Sequence, residues 1–394
     1  MPLLTFADAR RTVEQRVAAA RRTPEVETAL LAEAQGRILA EPVAADRDYP
    51  PFDRATRDGY AVRAAETPGR LKVIGQVRAG QEFGGTVGPG ETVEIMTGAP
   101  VPAGADAVIM VEYTRRDGEA VVLERAVKSG ENIVPRGSEA GVGVVAVSPG
   151  WRLDYPEMAL LASFGRSLVR VYRRPRVAIL STGDEVVEVT ETPRPYQIRN
   201  SNAWSLAAQV RRAGGEPVVL PIAPDEKART RELIERGLEC DLLLLSGGVS
   251  IGQYDLVEVA LAELGAEFFF DGVLIQPGKP LVFGRAQHRF FFGLPGNPLS
   301  TMVTFEVFAR AAVELLGGAA SAPLRLLYAP LGTDFRHKTG LTRFLPARLE
   351  DAVYPVKWQG SGDVVSLTRS NCFLVAAADR EEWKAGDWIP VLPR

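Results

Sequence analysis

The sequence predicts an α/β multidomain protein with a central three-layer α/β domain. Three apolar segments carry this prediction, because each is typical of a buried strand and ends in a loop of glycine and polar residues: Pro175–Glu185, Asp241–Ser250 and Phe290–Pro298. Continuous apolar runs of this kind indicate parallel strands covered on both faces, with ligands bound beyond the carboxyl ends of the strands. We therefore expect the chemistry at the loops that follow these strands.

Helical patterns alternate with the predicted strands across residues 173–320. The predicted helices are Ser201–Ala213, Asp225–Arg236, Asp255–Leu264 and Leu299–Leu316. Such alternation predicts right-handed βαβ crossovers, with helices covering both faces of one sheet.

The composition is ordinary for a soluble globular protein and argues against several functional classes. A chain of 394 residues exceeds one ordinary core, so we expect several domains. A net charge of −3 without a basic block argues against nucleic-acid binding. Cys240 and Cys372 lack the spacing of a zinc site or a disulfide framework, which fits a reducing cytoplasm. We expect neither a signal peptide nor a membrane span.

Helices are predicted near the N-terminus and again after residue 150. Residues 5–22 have apolar positions at helical spacing, with Thr5 as the expected N-cap, and Leu30–Leu39 carries a second such pattern. Asp154–Gly165 predicts a third helix, and Arg170–Arg174 is expected to be a linker. These segments form an expected helical domain made of residues 1–45 and 148–172.

Two further regions are predicted to be β-structure. Residues 46–147 contain short alternating runs separated by turn signals such as Gly88-Pro-Gly90, and this β domain would interrupt the helical one. From Pro323 onward we expect no helix. Short runs such as Cys372–Val375 predict a small barrel or sandwich over residues 321–394.

The loop Ser246-Gly-Gly-Val-Ser250 is the most informative candidate for ligand binding. Glycines let the backbone approach a ligand, and N–H groups near a helix start bind anions. Taken alone the loop is a weak signal, because many glycine-rich turns only connect a strand to a helix. Neither a dinucleotide fingerprint nor a P-loop is present. The hydroxyl of Ser250 and the carboxylate of Asp255 would suit a phosphate with a divalent metal.

Acidic residues follow two of the predicted strands. Asp184 and Glu185 end the first central strand, and Asp225 follows the next one. Helix capping or a solvated turn explains any one of them. Together with Asp255 they are expected at one sheet edge, and a cluster of acids implies a cation or exposure in a cleft. Mg²⁺ is the natural candidate, since it prefers oxygen ligands and accompanies phosphates.

Two proline-rich turns complete the central candidates. Gln276-Pro-Gly-Lys-Pro280 holds Lys279 between prolines, which would aim a cation at an oxyanion, although a surface lysine explains the pattern equally well. Gly293–Pro298 precedes a helix that Asn297 would cap. His288 and His337 are isolated, and no nucleophile with a histidine partner is evident.

Six short motifs together resemble the molybdopterin molybdenumtransferase family, which includes the bacterial MoeA proteins and the E domain of gephyrin. The motifs are Arg57–Ala61, Thr97–Ala99, Ser181–Glu185, Ser246–Ser250, Pro277–Pro280 and Leu294–Pro298. Each is weak alone, but their order and spacing agree over nearly the whole chain. The resemblance implies a helical N-terminal domain, an inserted β domain, a central molybdopterin-binding α/β domain and a C-terminal β-barrel.

The resemblance also implies a reaction and an assembly. The family inserts molybdate, a co-substrate, into adenylylated molybdopterin and releases AMP, usually with Mg²⁺. The resemblance implies a homodimer whose active cleft combines the α/β domain of one subunit with the β domain of the other. A cytoplasmic location is also expected. Transient contact with molybdopterin adenylyltransferase and with molybdoenzymes is a further expectation. No contact with nucleic acid or membrane is expected.

The resemblance assigns roles to individual positions. The expected catalytic residues are Asp58, Thr97, Glu185 and Lys279. The expected metal ligands are Asp225, Asp255 and Glu185. The expected substrate-binding residues are Thr182, Gly183, Asp184, Ser246, Gly247, Gly248, Ser250, Pro295, Gly296 and Asn297. Two departures stand out, since Ala55-Thr-Arg57 replaces the family's Ser-Ala-Met and Gln276 replaces a frequent lysine.

Two alternatives remain open at this point. A molybdopterin adenylyltransferase resembles the α/β domain, but it needs neither the inserted β domain nor the C-terminal β domain. A non-catalytic scaffold that binds the pterin is the other alternative. Retention of the acidic positions and Lys279 disfavours a loss of activity.

Overall fold

The structure is a computed structural model that describes residues 3–248 and 256–394. The chain folds as two compact units. The main unit comprises Met1–Ala40, Pro149–Tyr155 and Leu168–Arg394, and the inserted unit comprises Glu41–Ser148 and Pro156–Ser167. Within the described ranges, no helix is long and apolar enough to cross a membrane.

The helices follow the predicted pattern closely in the central region. In the described part of the chain they are α1 (Phe6–Ala20), α2 (Tyr155–Ser163), α3 (Ser201–Ala213), α4 (Lys227–Gly237), α5 (Leu256–Glu263), α6 (Pro298–Thr304, continued by the π-helical Phe305–Ala309 and by Arg310–Leu316) and α7 (Val364–Thr368). Thr5 caps α1, because its hydroxyl accepts a hydrogen bond from the Asp8 N–H at 3.2 Å. Gly214 ends α3 in the left-handed region, at φ +92°.

A six-stranded sheet forms the centre of the main unit. Its strands are β1 (Arg176–Ser181), β2 (Glu216–Val219), β3 (Leu242–Ser246), β4 (Glu267–Phe270), β5 (Val282–Ala286) and β6 (Arg289–Leu294). They lie in the order β2-β1-β3-β6-β5-β4. β1 is parallel to β2 and β3, and β3 is parallel to β6, whereas β5 is antiparallel to both neighbours. The carboxyl ends of β1, β3 and β6 therefore meet at one edge.

Helices cover both faces of this sheet, which confirms the predicted three layers. Leu242 and Leu244 share a core with residues of α1, α3 and α6. Leu243 and Leu245 point to the other face, where they share a core with residues of α4 and α5. Because successive side chains alternate between faces, two buried faces require a continuous apolar strand.

The inserted unit is a β-structure. Its six-stranded sheet has the order Ala107–Met110, Gly59–Val62, Glu91–Ile95, Gly69–Val77, Ala120–Leu123 and Thr114–Asp117. Two short ladders pair Val43–Ala44 with Val145–Val147 and Arg54–Ala55 with Ile133–Val134. Most of α2 groups with this unit.

The C-terminal segment of the main unit is also a β-structure. Its sheet has the order Ile275–Gln276, Thr342–Leu349, Cys372–Ala376, Trp388–Pro393 and Leu327–Pro330, with Val353–Pro355 paired to Thr342–Leu349. A separate ladder pairs Phe335–Arg336 with Glu382–Trp383. The expectation of no helix after Pro323 was wrong, since α7 lies there. Its five residues are too few to produce a helical pattern in the sequence.

Two predictions near the helical segments were also wrong, and for one reason. Val26–Leu30 and Leu168–Tyr172 pair as antiparallel strands, although a helix was expected from Leu30 to Leu39 and a linker over Arg170–Arg174. Leu31–Glu33 is only a short 3₁₀ turn, and Gly36 adopts φ +75°, which ends any helical course. Long-range pairing thus outweighed a short apolar pattern.

Candidate active site

A cavity of about 430 Å³ lies in the main unit at the carboxyl ends of β1, β3 and β6. Its wall is formed by the loops after these strands and by the start of α3, and it includes Ser181, Thr182, Glu185, Val186, Ile198, Arg199, Asn200, Ser201, Asn202, Ser246, Gly247, Gly248, Pro280, Pro295, Gly296, Asn297 and Pro298. The three loops that the sequence singled out therefore border one cavity. Eight of the predicted residues belong to its wall.

The two glycines after β3 are required by the backbone. Gly247 and Gly248 adopt φ +91° and +63°, in the left-handed region. A Cβ on Gly248 would lie 2.8 Å from Thr182 Oγ1 and 2.8 Å from Val257 Cγ2. The loop after β3 thus packs directly against the loop after β1, and only glycine permits that approach. Ser250 and Asp255 lie outside the described residues.

The start of α3 supplies a residue that the sequence predictions missed. Asn200 is the N-cap of α3, and its Oδ1 accepts hydrogen bonds from the Ala203 N–H at 3.1 Å and from the Ser181 hydroxyl at 3.0 Å. It therefore ties α3 to the end of β1. Asparagine directly before a predicted helix is a common N-cap, so the sequence carried a signal for Asn200.

Asn202 was also missed, although it joins two of the predicted loops. Its Nδ2 donates to Ser246 Oγ at 2.8 Å and to the Gly296 carbonyl at 2.7 Å. Ser246 ends β3 and Gly296 follows β6, so one side chain connects the ends of two neighbouring strands. Nothing local in the sequence indicates this role, because it depends on contacts 44 and 94 residues away.

The carboxylates near the cavity are exposed and lie on joined loops. The Asp225 N–H donates to Asp184 Oδ1 at 3.0 Å. The loops after β1 and β2 also pair through backbone hydrogen bonds, from the Gly183 N–H to the Ala223 carbonyl and from the Ala223 N–H to the Ser181 carbonyl. The carboxylates of Glu185 and Asp225 make no hydrogen bond or ion pair to the described residues. Across residues 3–248 and 256–394, no three acidic, histidine or cysteine side chains are grouped to hold a metal ion.

Lys279 lies beside the cavity wall. It precedes Pro280, a wall residue, and its carbonyl accepts hydrogen bonds from the N–H groups of Val273 and Leu281 at 3.0 Å each. This holds the turn while the side chain stays exposed. No carboxylate in the described part of the chain pairs with its ammonium group, so the charge is available to a ligand.

Asn297 was expected to cap α6 through its side chain. It is the N-cap residue, but its side chain makes no capping hydrogen bond. Its carbonyl accepts from the Thr301 N–H at 3.0 Å instead. The amide of Asn297 therefore remains on the cavity wall, where the loop after β6 also places Pro295.

Asp58 and Thr97 come together in the inserted unit. Asp58 Oδ1 accepts hydrogen bonds from the Thr97 N–H at 2.6 Å and from the Thr97 hydroxyl at 2.7 Å. These bonds, the backbone one first, lower the pKa of the Asp58 carboxyl below its usual value, so the side chain stays ionised. Gly59 and Ile95 are paired across neighbouring strands, which brings the two positions together. A Cβ on Gly59 would lie 1.8 Å from the Ile109 carbonyl oxygen, so this Asp-Gly sequence requires glycine.

Comparison with known proteins covers almost the whole chain. Residues 4–165 match the family described as MoeA N-terminal region (domain I and II), residues 178–314 match probable molybdopterin binding domain, and residues 328–393 match MoeA C-terminal region (domain IV). A molybdopterin molybdenumtransferase from Nostoc sp. is 36% identical over 360 residues, which are 87% of this chain and 83% of the relative. A protein of the same name from Bacillus subtilis is 34% identical over 385 residues, which are 93% of this chain and 90% of the relative.

A solved structure supports the same assignment. A molybdopterin biosynthesis MoeA protein from Pyrococcus horikoshii OT3 is 29% identical, with 100% of both chains covered and a TM-score of 0.82. The fold, the cavity and the motifs thus agree with sequence similarity along the full length. The chain is an enzyme of the molybdopterin molybdenumtransferase family.

Proposed function

We propose that this protein inserts molybdenum from molybdate into adenylylated molybdopterin, releasing AMP and giving molybdenum cofactor. The observation that carries the proposal is the cavity at the carboxyl ends of β1, β3 and β6. It lies in the segment that matches a molybdopterin binding domain, and three motif loops form its wall. The relatives named molybdopterin molybdenumtransferase support the reaction type.

Within this proposal the cavity wall binds the adenylylated pterin and the exposed charges act on it. Ser246, Gly247 and Gly248 bind its phosphate oxygens, with Thr182 and Asn297 on the same wall. Lys279 supplies positive charge to molybdate or to the phosphates. Asp58 and Thr97 are the proposed catalytic residues of the inserted unit.

Mg²⁺ is proposed as the metal of this reaction. Carboxylate oxygens suit this hard cation, which usually binds through one or two carboxylates together with substrate phosphates. The carboxylates of Glu185 and Asp225 fit this requirement, because they are exposed and unpaired among the described residues. Asp255 is proposed as a further ligand from its position in the sequence. When bound, the cation would neutralise charge on the bridging phosphate.

The proposal includes a domain organisation and an assembly. We propose a helical domain (1–45 and 148–172), an inserted β domain (46–147), the α/β domain (173–320) and a C-terminal β-barrel domain (321–394). We also propose a cytoplasmic homodimer that completes its active cleft between subunits, with transient contacts to molybdopterin adenylyltransferase and to molybdoenzymes. The free buried thiols of Cys240 and Cys372 are compatible with a reducing compartment.

The test is molybdate-dependent release of AMP. Purified protein is incubated with adenylylated molybdopterin and Mg²⁺, with and without molybdate, and AMP is quantified. We expect AMP only when molybdate is present, together with a product that reconstitutes an apo-molybdoenzyme. Tight binding of the pterin without AMP release or metal insertion would replace the transferase with a scaffold.

A further inference from the structure

The amide of Asn202 has a fixed orientation at the cavity wall. Its two contacts are the Ser246 hydroxyl oxygen at 2.8 Å and the Gly296 carbonyl oxygen at 2.7 Å. A carbonyl oxygen only accepts hydrogen bonds, so the group that faces Gly296 has to be the NH₂ of the amide. Both hydrogens of this NH₂ are thereby used, one on each contact.

The consequence for Ser246 is a defined direction for its hydroxyl hydrogen. Ser246 is only 3% exposed and belongs to the cavity wall. Its oxygen accepts from Asn202, and a serine hydroxyl has a single hydrogen to donate. No described residue accepts that hydrogen. A buried donor without a partner is unfavourable, so it is suited to a ligand that accepts hydrogen bonds.

The other end of the Asn202 amide offers the opposite polarity. Asn202 Oδ1 is buried and has no hydrogen-bond partner in the described part of the chain. The wall at this point therefore presents a donor from Ser246 beside an acceptor from Asn202. An ionised phosphate accepts hydrogen bonds, whereas the ring and amino N–H groups of a pterin donate them.

We propose that Asn202 is a positioning residue that sets the polarity of this wall. It holds Ser246 so that the serine hydroxyl donates to a phosphate oxygen of the ligand, while Asn202 Oδ1 accepts from an N–H group of the same ligand. This inference rests on the proposed function, because it takes the adenylylated pterin as the ligand. It names the part of the substrate that the buried wall recognises.

The test compares a phosphorylated probe with a neutral one. Binding of AMP and of adenosine to the full-length protein is measured by calorimetry. The wild type should bind AMP more tightly than adenosine. Ser246→Ala and Asn202→Ala should each weaken AMP binding about 10-fold or more, the range for a hydrogen bond to a charged group, and leave adenosine binding unchanged. The double variant should be no weaker than either single variant, because Asn202 acts on the phosphate only through the Ser246 hydroxyl.

A second variant separates polarity from packing. Asn202→Asp keeps the shape of the side chain, but its carboxylate accepts the hydrogen of Ser246 and turns it away from the ligand. We expect a loss of AMP affinity at least as large as that of Asn202→Ala. The matched control is Ser205→Ala on the same helix, whose hydroxyl donates to the Asn202 carbonyl at 3.0 Å. It should bind AMP as the wild type does. Thermal unfolding shows whether each variant is folded. If Asn202→Ala does not fold, AMP binding by Asn202→Asp is compared with that of the wild type instead.

The outcomes distinguish this inference from the proposed function. Three results would overturn the role of Asn202. They are additive losses of AMP affinity in the double variant, losses of adenosine affinity equal to those of AMP affinity, and a wild type that does not bind AMP more tightly than adenosine. Wild-type protein that prefers AMP through Ser246 and Asn202, yet releases no AMP from the adenylylated pterin, would reject the transferase reaction and leave the role of Asn202 intact. In the release assay, Asn202→Ala should raise KM and leave kcat unchanged.

Discussion

The cavity of the main unit and the Asp58–Thr97 pair of the inserted unit are built in opposite ways. Apart from the exposed Glu185 and Arg199, the cavity wall uses neutral polar groups that are almost fully buried, such as Ser181, Asn200 and Ser246, each at most 5% exposed. The inserted unit instead presents one ionised carboxylate at the surface, held by a single threonine. Burying neutral groups that are hydrogen-bonded costs little, whereas burying a charge costs much more. We infer that recognition is built into the fold, while charge is kept at exposed positions.

The charged residues of the main unit obey the same division. Glu185 on the cavity wall, and Asp225 and Lys279 near it, are exposed. Exposed charges change the rate of a reaction when a ligand desolvates them, because electrostatic interactions strengthen as water leaves. We therefore expect variants of the wall to change affinity and variants of the exposed charges to change turnover.

The largest effect is expected for Lys279→Ala. Because we propose that Lys279 supplies positive charge to molybdate or to the phosphates, its removal should lower kcat for AMP release about 10²–10³-fold. Lys227→Ala is the matched control, since Lys227 is an exposed lysine of the same unit that pairs with Glu263 at 2.5 Å. Steady-state AMP release should be unchanged in the control. Equal losses in both variants would show that the effect is a general one of net charge.

The next effect concerns Gly248. An alanine there is strained by about 1–2 kcal/mol in the left-handed region and also clashes with Thr182 and Val257. We expect Gly248→Ala to weaken binding of the adenylylated pterin about 5–30-fold, the change in affinity that 1–2 kcal/mol gives. Gly265→Ala is the control, because Gly265 has a similar φ of +73° but nothing within 4 Å of its Cβ position. It should lower stability and leave affinity unchanged. Normal affinity in Gly248→Ala would contradict the close packing of the two loops.

Loss of a helix cap should have a smaller effect. Asn200→Ala removes the N-cap of α3 and should lower the free energy of unfolding by about 1 kcal/mol. Because Asn200 also ties α3 to Ser181, KM should rise as well. Thr5→Ala removes the corresponding cap of α1, far from the wall residues in sequence, and should lower stability without a change in KM. Chemical denaturation and steady-state kinetics measure the two quantities.

The smallest effect is expected in the pH dependence of Asp58. Its pKa is lowered by the Thr97 hydrogen bonds, so the stabilisation is present above the usual aspartate pKa and is lost as the pH falls through the lowered value. Thr97→Val removes the side-chain bond and should raise this pKa. The acid limb of the activity profile should then move to higher pH. NMR titration of the Asp58 carboxyl checks the shift, and an unchanged pKa would contradict it.

The sequence predicted the loops of the site better than the contacts between them. Continuous apolar strands and the glycines after them indicated Ser246–Gly248 and the Asp184–Glu185 pair, because these features depend on residues close in the chain. Asn202 was missed because its partners are distant in sequence. Arg170–Arg174 was expected to be a linker, but Leu168–Tyr172 is a strand in which the buried Val169 and Val171 alternate with exposed residues. Pairing with Val26–Leu30 decided that structure.

The π-helical turn within α6 was likewise invisible in the sequence. Phe305–Ala309 falls inside a pattern that predicts an ordinary helix. Its Val307 carbonyl accepts a hydrogen bond from the buried Arg10 side chain at 2.7 Å. That contact spans 297 residues, so no local pattern could indicate it.

We propose that the buried wall recognises the ligand and that the exposed charges act in turnover, and one kinetic comparison tests this division most directly. AMP release is measured for Ser246→Ala and Lys279→Ala over a range of adenylylated molybdopterin concentrations, with molybdate and Mg²⁺ saturating. We predict that Ser246→Ala raises KM with kcat near the wild-type value, and that Lys279→Ala lowers kcat with KM little changed. The same change in both parameters for both variants would contradict the division.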